Sequence, residues 1–212
     1  MSVIFQLAGK ARAQGIPKLP EAMGGLEKAL RSAPGFERAR LLVSGSTLQT
    51  QLLFQWKTFE EGLAFNTLFQ RELGKPFQPL LEPRATLITS VLDFSVAGST
   101  STSAAGEPVV VHFAGSAPAE GIAKARDVLR GTVLPMLQKA PGFQGIEVLA
   151  NHQEGKIQFL AVYSDFDATF AWFKENARSL LVAFDGAVSM PNVPFFFAVA
   201  RDINPGVAAH VH

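Results

Sequence analysis

The chain has 212 residues, a formal net charge of +1 and no cysteine. Hydrophobic residues make up 48% of it and charged residues 17%, against a typical charged share of roughly 25%. This sparse and balanced charge argues against a nucleic-acid-binding surface, and the lack of cysteine excludes disulfides, thiolate nucleophiles and cysteine-ligated metals.

Neither a membrane segment nor a secretion signal is predicted. No stretch reaches the roughly 18 consecutive apolar residues that a membrane-spanning helix needs. The first residues, Met-Ser-Val-Ile-Phe, lack the basic start and the long apolar run of a signal peptide. Together with the lack of cysteine, these features predict a cytoplasmic protein.

The first predicted elements are a strand at 3–8 and a helix at 21–32. Pro34-Gly35 ends that helix, because proline cannot continue the hydrogen-bond ladder and glycine accepts a positive φ. Strands at 36–43 and 47–57 follow. Alternation along the second of these predicts one face with Leu48, Thr50, Leu52, Phe54 and Trp56, and an opposite face with Gln49, Gln51 and Gln55.

A second helix begins after Thr58, which is a typical N-cap residue with a glutamate three positions later at Glu61. Its spacing predicts a buried stripe of Phe59, Leu63, Asn66 and Leu73. A final strand is predicted at 84–94. The order is therefore β-α-β-β-α-β, the ferredoxin-like arrangement of a four-stranded antiparallel sheet with both helices on one face.

The stretch Ala-Pro-Gly-Phe at 33–36 recurs 107 residues later, at 140–143. The same offset pairs Trp56 with Tyr163 and Phe59 with Phe166. The chain is therefore predicted to contain two copies of one unit, at 1–94 and 107–201. Between them, 95–106 is rich in Ser, Thr, Ala and Gly and is predicted to be a flexible linker, and 202–212 is predicted to be a tail.

In the second copy the first helix is predicted at 118–139, with Pro135 expected to kink or divide it. Asp165 is the expected N-cap of the second helix, and the predicted buried stripe of that helix is Phe166, Phe170, Phe173 and Ala177. The last strand, 193–201, is apolar on both faces, so both faces must be covered. We therefore predict an α+β fold in which the antiparallel sheets of two ferredoxin-like repeats pack face to face as an intramolecular pseudo-dimeric α/β barrel.

Two β-α-β-β-α-β units, a Pro-Gly-Phe stop after the first helix and an aromatic second helix together resemble the dimeric α/β-barrel superfamily. Within it, the chain resembles the antibiotic biosynthesis monooxygenases over most of 1–94 and 107–201. The resemblance implies a cavity between sheet and helices that holds an aromatic substrate, positioned by Trp, Asn, Tyr or Arg side chains. It also implies reaction with oxygen without metal or flavin, so that catalysis is mainly orientation and oxyanion stabilisation.

Four residues of the second copy are the predicted catalytic set. Trp172 and Asn176 are four apart and so share one helix face, and Tyr163 lies on a strand expected to face that helix. His112 on the first strand of this copy is a candidate base, because its pKa lies near neutrality. The alternatives are a packing role for Trp172, a helix-end role for Asn176 and a hydrogen-bonded structural role for His112.

The predicted substrate-binding residues are Phe170, Phe173, Asn66 and Trp56; Asn66 could instead bond a strand carbonyl. The expected partner is a small apolar or aromatic molecule, with no cofactor and no metal, since the histidines at 152, 210 and 212 lie in a turn and in the tail. A monomer or a homodimer is expected. The alternative function is a non-catalytic small-molecule-binding or structural barrel, in which the 18 phenylalanines fill the space.

Overall fold

The computed structural model describes residues 2–83, 85–97, 108–190 and 194–204. The chain divides into two compact units, which we call the first unit (Met1–Val91 with Ala198–His212) and the second unit (Leu92–Phe197). The predicted linker from residue 98 onward and the predicted tail from residue 205 onward lie outside the described residues. Two strands, β4 (Thr86–Ala97) and β8 (Phe195–Ile203), begin in one unit and end in the other.

Besides parts of those two strands, the first unit contains three strands, three α-helices and three shorter helical turns. In chain order they are β1 (Val3–Lys10), a 3-10 turn (Ala13–Lys18), α1 (Leu19–Gly25), α2 (Glu27–Ser32), β2 (Phe36–Val43), β3 (Gln49–Trp56), α3 (Phe59–Leu68), a π-helical turn (Phe69–Leu73) and a 3-10 turn (Lys75–Phe77).

The second unit contains β5 (Val109–Ser116), α4 (Ala119–Val128), a π-helical turn (Leu129–Val133), α5 (Leu134–Leu137), β6 (Phe143–Asn151), β7 (Lys156–Tyr163) and α6 (Phe166–Ala183). The π-helical turn interrupts the helix directly before Pro135, which has no N–H to continue the α-helical ladder. The prediction that Pro135 divides this helix is confirmed.

The strand pairs β1–β3, β1–β4, β2–β3, β2–β8, β5–β7 and β6–β7 are antiparallel. In the first unit β1 lies between β3 and β4, with Val3 opposite Trp56 on one side and Val91 on the other. The hydrogen-bonded order of all eight strands is β1-β3-β2-β8-β5-β7-β6-β4, and it closes on itself as a barrel. The predicted fold class, an α+β pseudo-dimeric barrel of ferredoxin-like units, is confirmed.

Both predicted N-caps of the second helices are present. The Thr58 hydroxyl accepts a hydrogen bond from the Glu61 backbone N–H at 3.3 Å, and an Asp165 carboxylate oxygen accepts one from the Ala168 N–H at 2.7 Å. Each bond satisfies one N–H that a helix leaves unpaired at its start. The local sequence signals therefore fix where α3 and α6 begin.

Each unit has its own apolar core on the helix-facing side of its strands. Trp56 belongs to the core of the first unit and Tyr163 to that of the second, so both face the helices as predicted. Gln51 and Gln158 are buried on the opposite face of their strands. Among the described residues no helix is long and apolar enough to cross a bilayer.

The predicted buried stripe of α3 is wrong. Phe59 is 46% exposed and Leu63 44%, Asn66 is partly exposed, and the buried side chains are Phe65 and Phe69. The reason is Gly62, where a Cβ atom would lie 2.3 Å from the Phe5 ring. Gly62 lies directly against Phe5 and Trp56, so the buried face of the helix passes through Gly62 and Phe65, and Phe59 and Leu63 lie outside it.

The predicted stripe of α6 is confirmed at Phe173 and is wrong at Phe166 and Phe170. Phe166 is 48% exposed and Phe170 49%, whereas Phe173 is buried. The residue at the position of Gly62 is Thr169, which is fully buried and whose hydroxyl donates to the Asp165 carbonyl. The buried residues of α6 are thus Thr169, Phe173 and Leu180.

Candidate functional site

Tyr163 ends strand β7 and is fully buried in the second unit. Its ring meets Phe143 and Phe173 edge-on, with centroids 5.6 and 5.7 Å away. Its hydroxyl has no hydrogen-bond partner among the described residues. Burial raises the pKa of Tyr163 far above its usual range. This phenol therefore stays protonated and is suited to donate a hydrogen bond, not to act as a base.

His112 lies on β5, on the face of the strand that points away from the helices. Its Nε2 is hydrogen-bonded to Oε1 of Gln158 at 2.9 Å. Burial lowers the pKa of His112 to about 4, although the bond to Gln158 acts in the opposite direction. The ring is neutral at pH 7, and the sheet separates it from Tyr163, so these two predicted catalytic residues do not converge.

Trp172 and Asn176 share one face of α6, as their spacing predicts. The Asn176 side-chain amide donates to the backbone carbonyl of Trp172 at 2.9 Å, so part of its capacity is used within its own helix. The Trp172 indole is partly exposed and meets the Phe173 ring edge-on at 5.1 Å. This pair lies at the edge of the core, beside the buried Phe173.

The space between sheet and helices in the second unit is almost filled. A cavity of about 20 Å³ remains. Its lining is wholly apolar and consists of Phe113, Leu129, Val133, Leu137, Ile146, Phe159, Ala161, Leu180, Leu181, Phe184 and Met190. A volume of this size is close to the roughly 10–15 Å³ that one water molecule needs, so an aromatic molecule does not fit here without rearrangement.

The first unit has a much larger space, an open groove of about 420 Å³. Its buried apolar floor contains Phe69, Phe77 and Leu81. The remaining lining residues are Leu7, Arg12, Gln70, Gly74, Gln78, Glu82, Pro83 and Ala85. The groove falls within the range of about 300–1,000 Å³ typical of small-molecule sites, and it has their usual character of an apolar floor with a polar rim.

One wall of the groove is fixed by hydrogen bonds to the end of β1. The Glu82 N–H donates to the Lys10 carbonyl at 2.8 Å, and the Arg12 N–H donates to the Leu80 carbonyl at 2.8 Å. At Gly15 a Cβ atom would lie 2.7 Å from the Leu80 oxygen, so the close approach requires glycine. The segment that carries the buried Leu81 is thereby fixed onto the strand.

The opposite wall is the π-helical turn Phe69–Leu73. The Gly74 N–H closes it by donating to the Phe69 carbonyl at 2.7 Å, and a Cβ at Gly74 would lie 2.8 Å from that oxygen. π-Helical turns are rare in proteins, and those that do occur are often found at functional sites. This one places Phe69 on the floor and Gln70 on the rim of the groove.

An aromatic row leads from the groove into the core of the first unit. Phe77 meets Phe69 at 5.8 Å, Phe69 meets Phe54 at 5.4 Å, and Phe65 meets Trp56 at 4.9 Å. Trp56, a predicted substrate-binding residue, lies at the buried end of this row, and its indole N–H has no partner among the described residues. Asn66, also predicted, does not line the groove.

Sequence reasoning did not identify the groove, although a signal for it exists. Gly74 and Pro76 stand where the second copy has Leu181 and Ala183, at the same offset of 107 residues. Glycine and proline end the helix early in the first unit, whereas α6 continues to Ala183. In the second unit Leu181 lines the small cavity, so the longer helix fills the space that is open in the first.

The same fold occurs in solved structures over nearly the whole chain. An anthrone oxidase-like protein has a TM-score of 0.72 and 15% identity, covering 99% of this chain and 96% of that one. A candidate monooxygenase from Fusobacterium nucleatum has a TM-score of 0.70 and 8% identity, covering 96% and 94%. A ferredoxin-fold protein related to antibiotic biosynthesis monooxygenases, from Listeria monocytogenes, has a TM-score of 0.52 and 13% identity, covering 94% of each chain.

No protein-family model and no curated protein matches the sequence. At identities of 15% or less, the likeness to these solved structures concerns the fold. The predicted resemblance to monooxygenase-like dimeric α/β barrels is therefore confirmed for the fold.

Proposed function

We propose that the protein is a monooxygenase-like enzyme that binds an apolar aromatic or polyketide-like molecule in the first-unit groove and oxidises it with dioxygen, without a cofactor. The observation that carries the proposal is the groove of about 420 Å³. It lies between the β1 strand and the turns that follow α3, which is the kind of position where the resembling family holds its substrates.

The side chains of the groove suit such a substrate. Phe69 and Phe77 are buried and in contact, with ring centroids 5.8 Å apart, so together they form an apolar aromatic floor for such a molecule. Gln70 and Gln78 on the rim supply amides that can bond ring oxygens. In a reaction of an electron-rich phenolate with dioxygen, the protein would act mainly by orienting the substrate and stabilising developing oxyanion charge.

The residues predicted in the second unit form a competing location. Tyr163 offers a hydroxyl donor without a partner among the described residues, and Trp172 and Asn176 lie at the edge of the same core, whereas His112 lies on the other face of the sheet. For this location to work, the cavity of about 20 Å³ must enlarge when a substrate binds. The two locations can be distinguished because they lie in different units.

The test is oxygen uptake with a panel of anthrone-like phenols. Ala85 is an exposed groove residue, so Ala85→Trp should fill the groove without disturbing the core. We expect this variant to abolish uptake, whereas Ala64→Trp, which adds the same bulk at an exposed site on α3 outside the groove, should keep it. Uptake should survive Tyr163→Phe and Trp172→Phe.

The outcomes separate the hypotheses. Uptake that is lost in Tyr163→Phe and kept in Ala85→Trp would move the reaction to the second unit. No uptake with any phenol, together with binding of those phenols in the groove, would leave a non-catalytic binding protein. Uptake that requires added metal or flavin would overturn the cofactor-independent part of the proposal. Light scattering tests the predicted monomer or homodimer, and cell fractionation tests the predicted cytoplasmic location.

A further inference from the structure

We infer that the first-unit groove selects aromatic ligands that carry an acidic group, a carboxylate or a phenolate, and that Arg12 is the residue that recognises this group. The inference rests on the proposed function in that it concerns the same groove. It adds the charge of the ligand, which neither the fold nor the size of the groove specifies.

Arg12 is held at two points on the wall of the groove. Its backbone N–H donates to the Leu80 carbonyl at 2.8 Å, and its side-chain Nε donates to the Leu81 carbonyl at 3.3 Å. The first bond fixes the backbone of Arg12, and the second fixes the Nε end of its side chain, on the segment that forms the rim. The guanidinium group is therefore oriented before a ligand arrives, which lowers the entropic cost of binding.

The guanidinium has five N–H donors, and the bond to Leu81 uses one of them. Among the described residues no carboxylate forms an ion pair with Arg12. Arg38, Arg126 and Arg201, by contrast, pair with Asp202, Asp93 and Glu27. The terminal nitrogens of Arg12 are thus free to hold a carboxylate or phenolate in the two-bond geometry that arginine favours.

The apolar floor determines what the rest of the ligand must be. Phe77 and Phe69 are buried beneath the rim that carries Arg12, and they take an aromatic or other apolar body better than a polar one. Arg12 is the one cation among the described residues that line the groove, and a cation at the rim above an apolar floor matches a molecule with an acidic end. An inorganic anion would leave the floor uncovered, and a neutral aromatic would leave the cation unpaired.

Of the groove-lining residues that the structure describes, Glu82 is the one carboxylate, and it acts against an anionic ligand. Its backbone N–H is bonded to Lys10, and it makes no ion pair with Arg12. Removing its charge should therefore strengthen binding of an anion and leave binding of a neutral molecule unchanged. Loss of Arg12 should weaken binding of an anion, and loss of the Glu82 charge should strengthen it. Measuring both variants tests the inference more sharply than measuring the loss of Arg12 alone.

The experiment compares two fluorescent probes with the same ring system, the anionic anilinonaphthalene sulfonate and the neutral N-phenylnaphthylamine. We expect Arg12→Gln to weaken binding of the anionic probe by about tenfold or more and to leave the neutral probe unchanged. Glu82→Gln should strengthen only the anionic probe. Ala85→Trp should remove both, and Phe166→Ala, which alters an exposed aromatic in the other unit, should change neither.

Equal binding of the anionic probe by the wild type and Arg12→Gln overturns the inference, as does probe binding that persists in Ala85→Trp. Circular dichroism establishes that each variant is folded before it is titrated. The proposed function fails separately: absence of oxygen uptake with charge-dependent probe binding intact refutes the oxidation and keeps the Arg12 site. Uptake of acidic phenols with an unchanged KM in Arg12→Gln refutes the Arg12 site and keeps the oxidation.

Discussion

Trp56 and Tyr163 occupy equivalent positions at the ends of β3 and β7, and each buries a polar atom that has no hydrogen-bond partner among the described residues. Both rings pack edge-on against the phenylalanine of the Pro-Gly-Phe stretch, Phe36 at 5.5 Å and Phe143 at 5.6 Å. An unpaired buried donor costs roughly 1–3 kcal/mol. Both units therefore carry the same unfavourable feature at the same position.

Tyr163→Phe should accordingly raise the free energy of unfolding by about 1–3 kcal/mol, because it removes a buried hydroxyl that forms no bond and keeps the ring. Urea unfolding measures this. Tyr163→Ala is the control, with an expected loss of about 3–5 kcal/mol from the cavity it leaves. One hydrogen bond contributes roughly 1 kcal/mol to stability. If Tyr163→Phe lowers the free energy of unfolding by about 1 kcal/mol or more, the hydroxyl does have a partner.

His112 should make stability depend on acidity. Burial lowers its folded-state pKa to about 4, below the value of 6.5 for an unperturbed histidine. Between these values the unfolded chain binds more protons than the folded one, so the contribution is complete above pH 6.5 and is lost as pH falls towards 4. The total loss should be about 3 kcal/mol.

The measurement is the free energy of unfolding of the wild type and of His112→Gln at a series of pH values. Glutamine is uncharged and can still donate to Gln158, so this variant should lack the slope between pH 6.5 and pH 4, while slopes from carboxylates remain in both proteins. Identical pH profiles for the two proteins would show that His112 is not the group that titrates.

The two phenylalanines Phe170 and Phe173 lie on one helix but on different faces. Phe173 is 2% exposed and Phe170 is 49% exposed, so truncating them should differ in cost. We expect Phe173→Ala to lower the free energy of unfolding by about 3–5 kcal/mol and Phe170→Ala by less than about 1 kcal/mol. Thermal or urea unfolding compares the two variants directly. Equal losses in the free energy of unfolding would show that Phe170 and Phe173 are both buried, as the sequence predicts.

Much of the fold follows from local sequence signals. The strand predicted at 36–43 is observed at Phe36–Val43, and Thr58 and Asp165 cap α3 and α6 as predicted. These features depend on residues close together in the chain, such as an alternating run or a hydroxyl three positions before an N–H. The offset of 107 residues then predicts the strands and helices of the second copy from those of the first.

What sequence reasoning missed depends on contacts between distant residues. Helical periodicity selects apolar positions, but it does not show that the small residues Gly62 and Thr169 lie on the buried faces of α3 and α6. The π-helical turn at Phe69–Leu73 has no simple sequence rule, and the groove beside it needs the segment at Leu80 to reach β1. The candidate site was therefore predicted in the second unit, around Tyr163 and Trp172, although the groove with the buried aromatic floor lies in the first.

The difference between the units at Gly74 and Pro76 can be tested by making them alike. Gly74→Leu with Pro76→Ala introduces the residues that the second unit has at these positions. Both changes favour a continuous helix, by roughly 1 kcal/mol for the glycine and about 3 kcal/mol for the proline. A Cβ at Gly74 does not fit the present turn, because it would lie 2.8 Å from the Phe69 oxygen.

We therefore expect α3 to continue through the π-helical turn and the groove to close. Binding of the neutral probe N-phenylnaphthylamine should fall by about tenfold or more, since its apolar contacts with Phe69 and Phe77 are lost. Pro79→Ala, which removes a nearby exposed proline outside the helix break, should bind as the wild type does. Unchanged binding by the double variant would show that residues 74 and 76 do not hold the groove open.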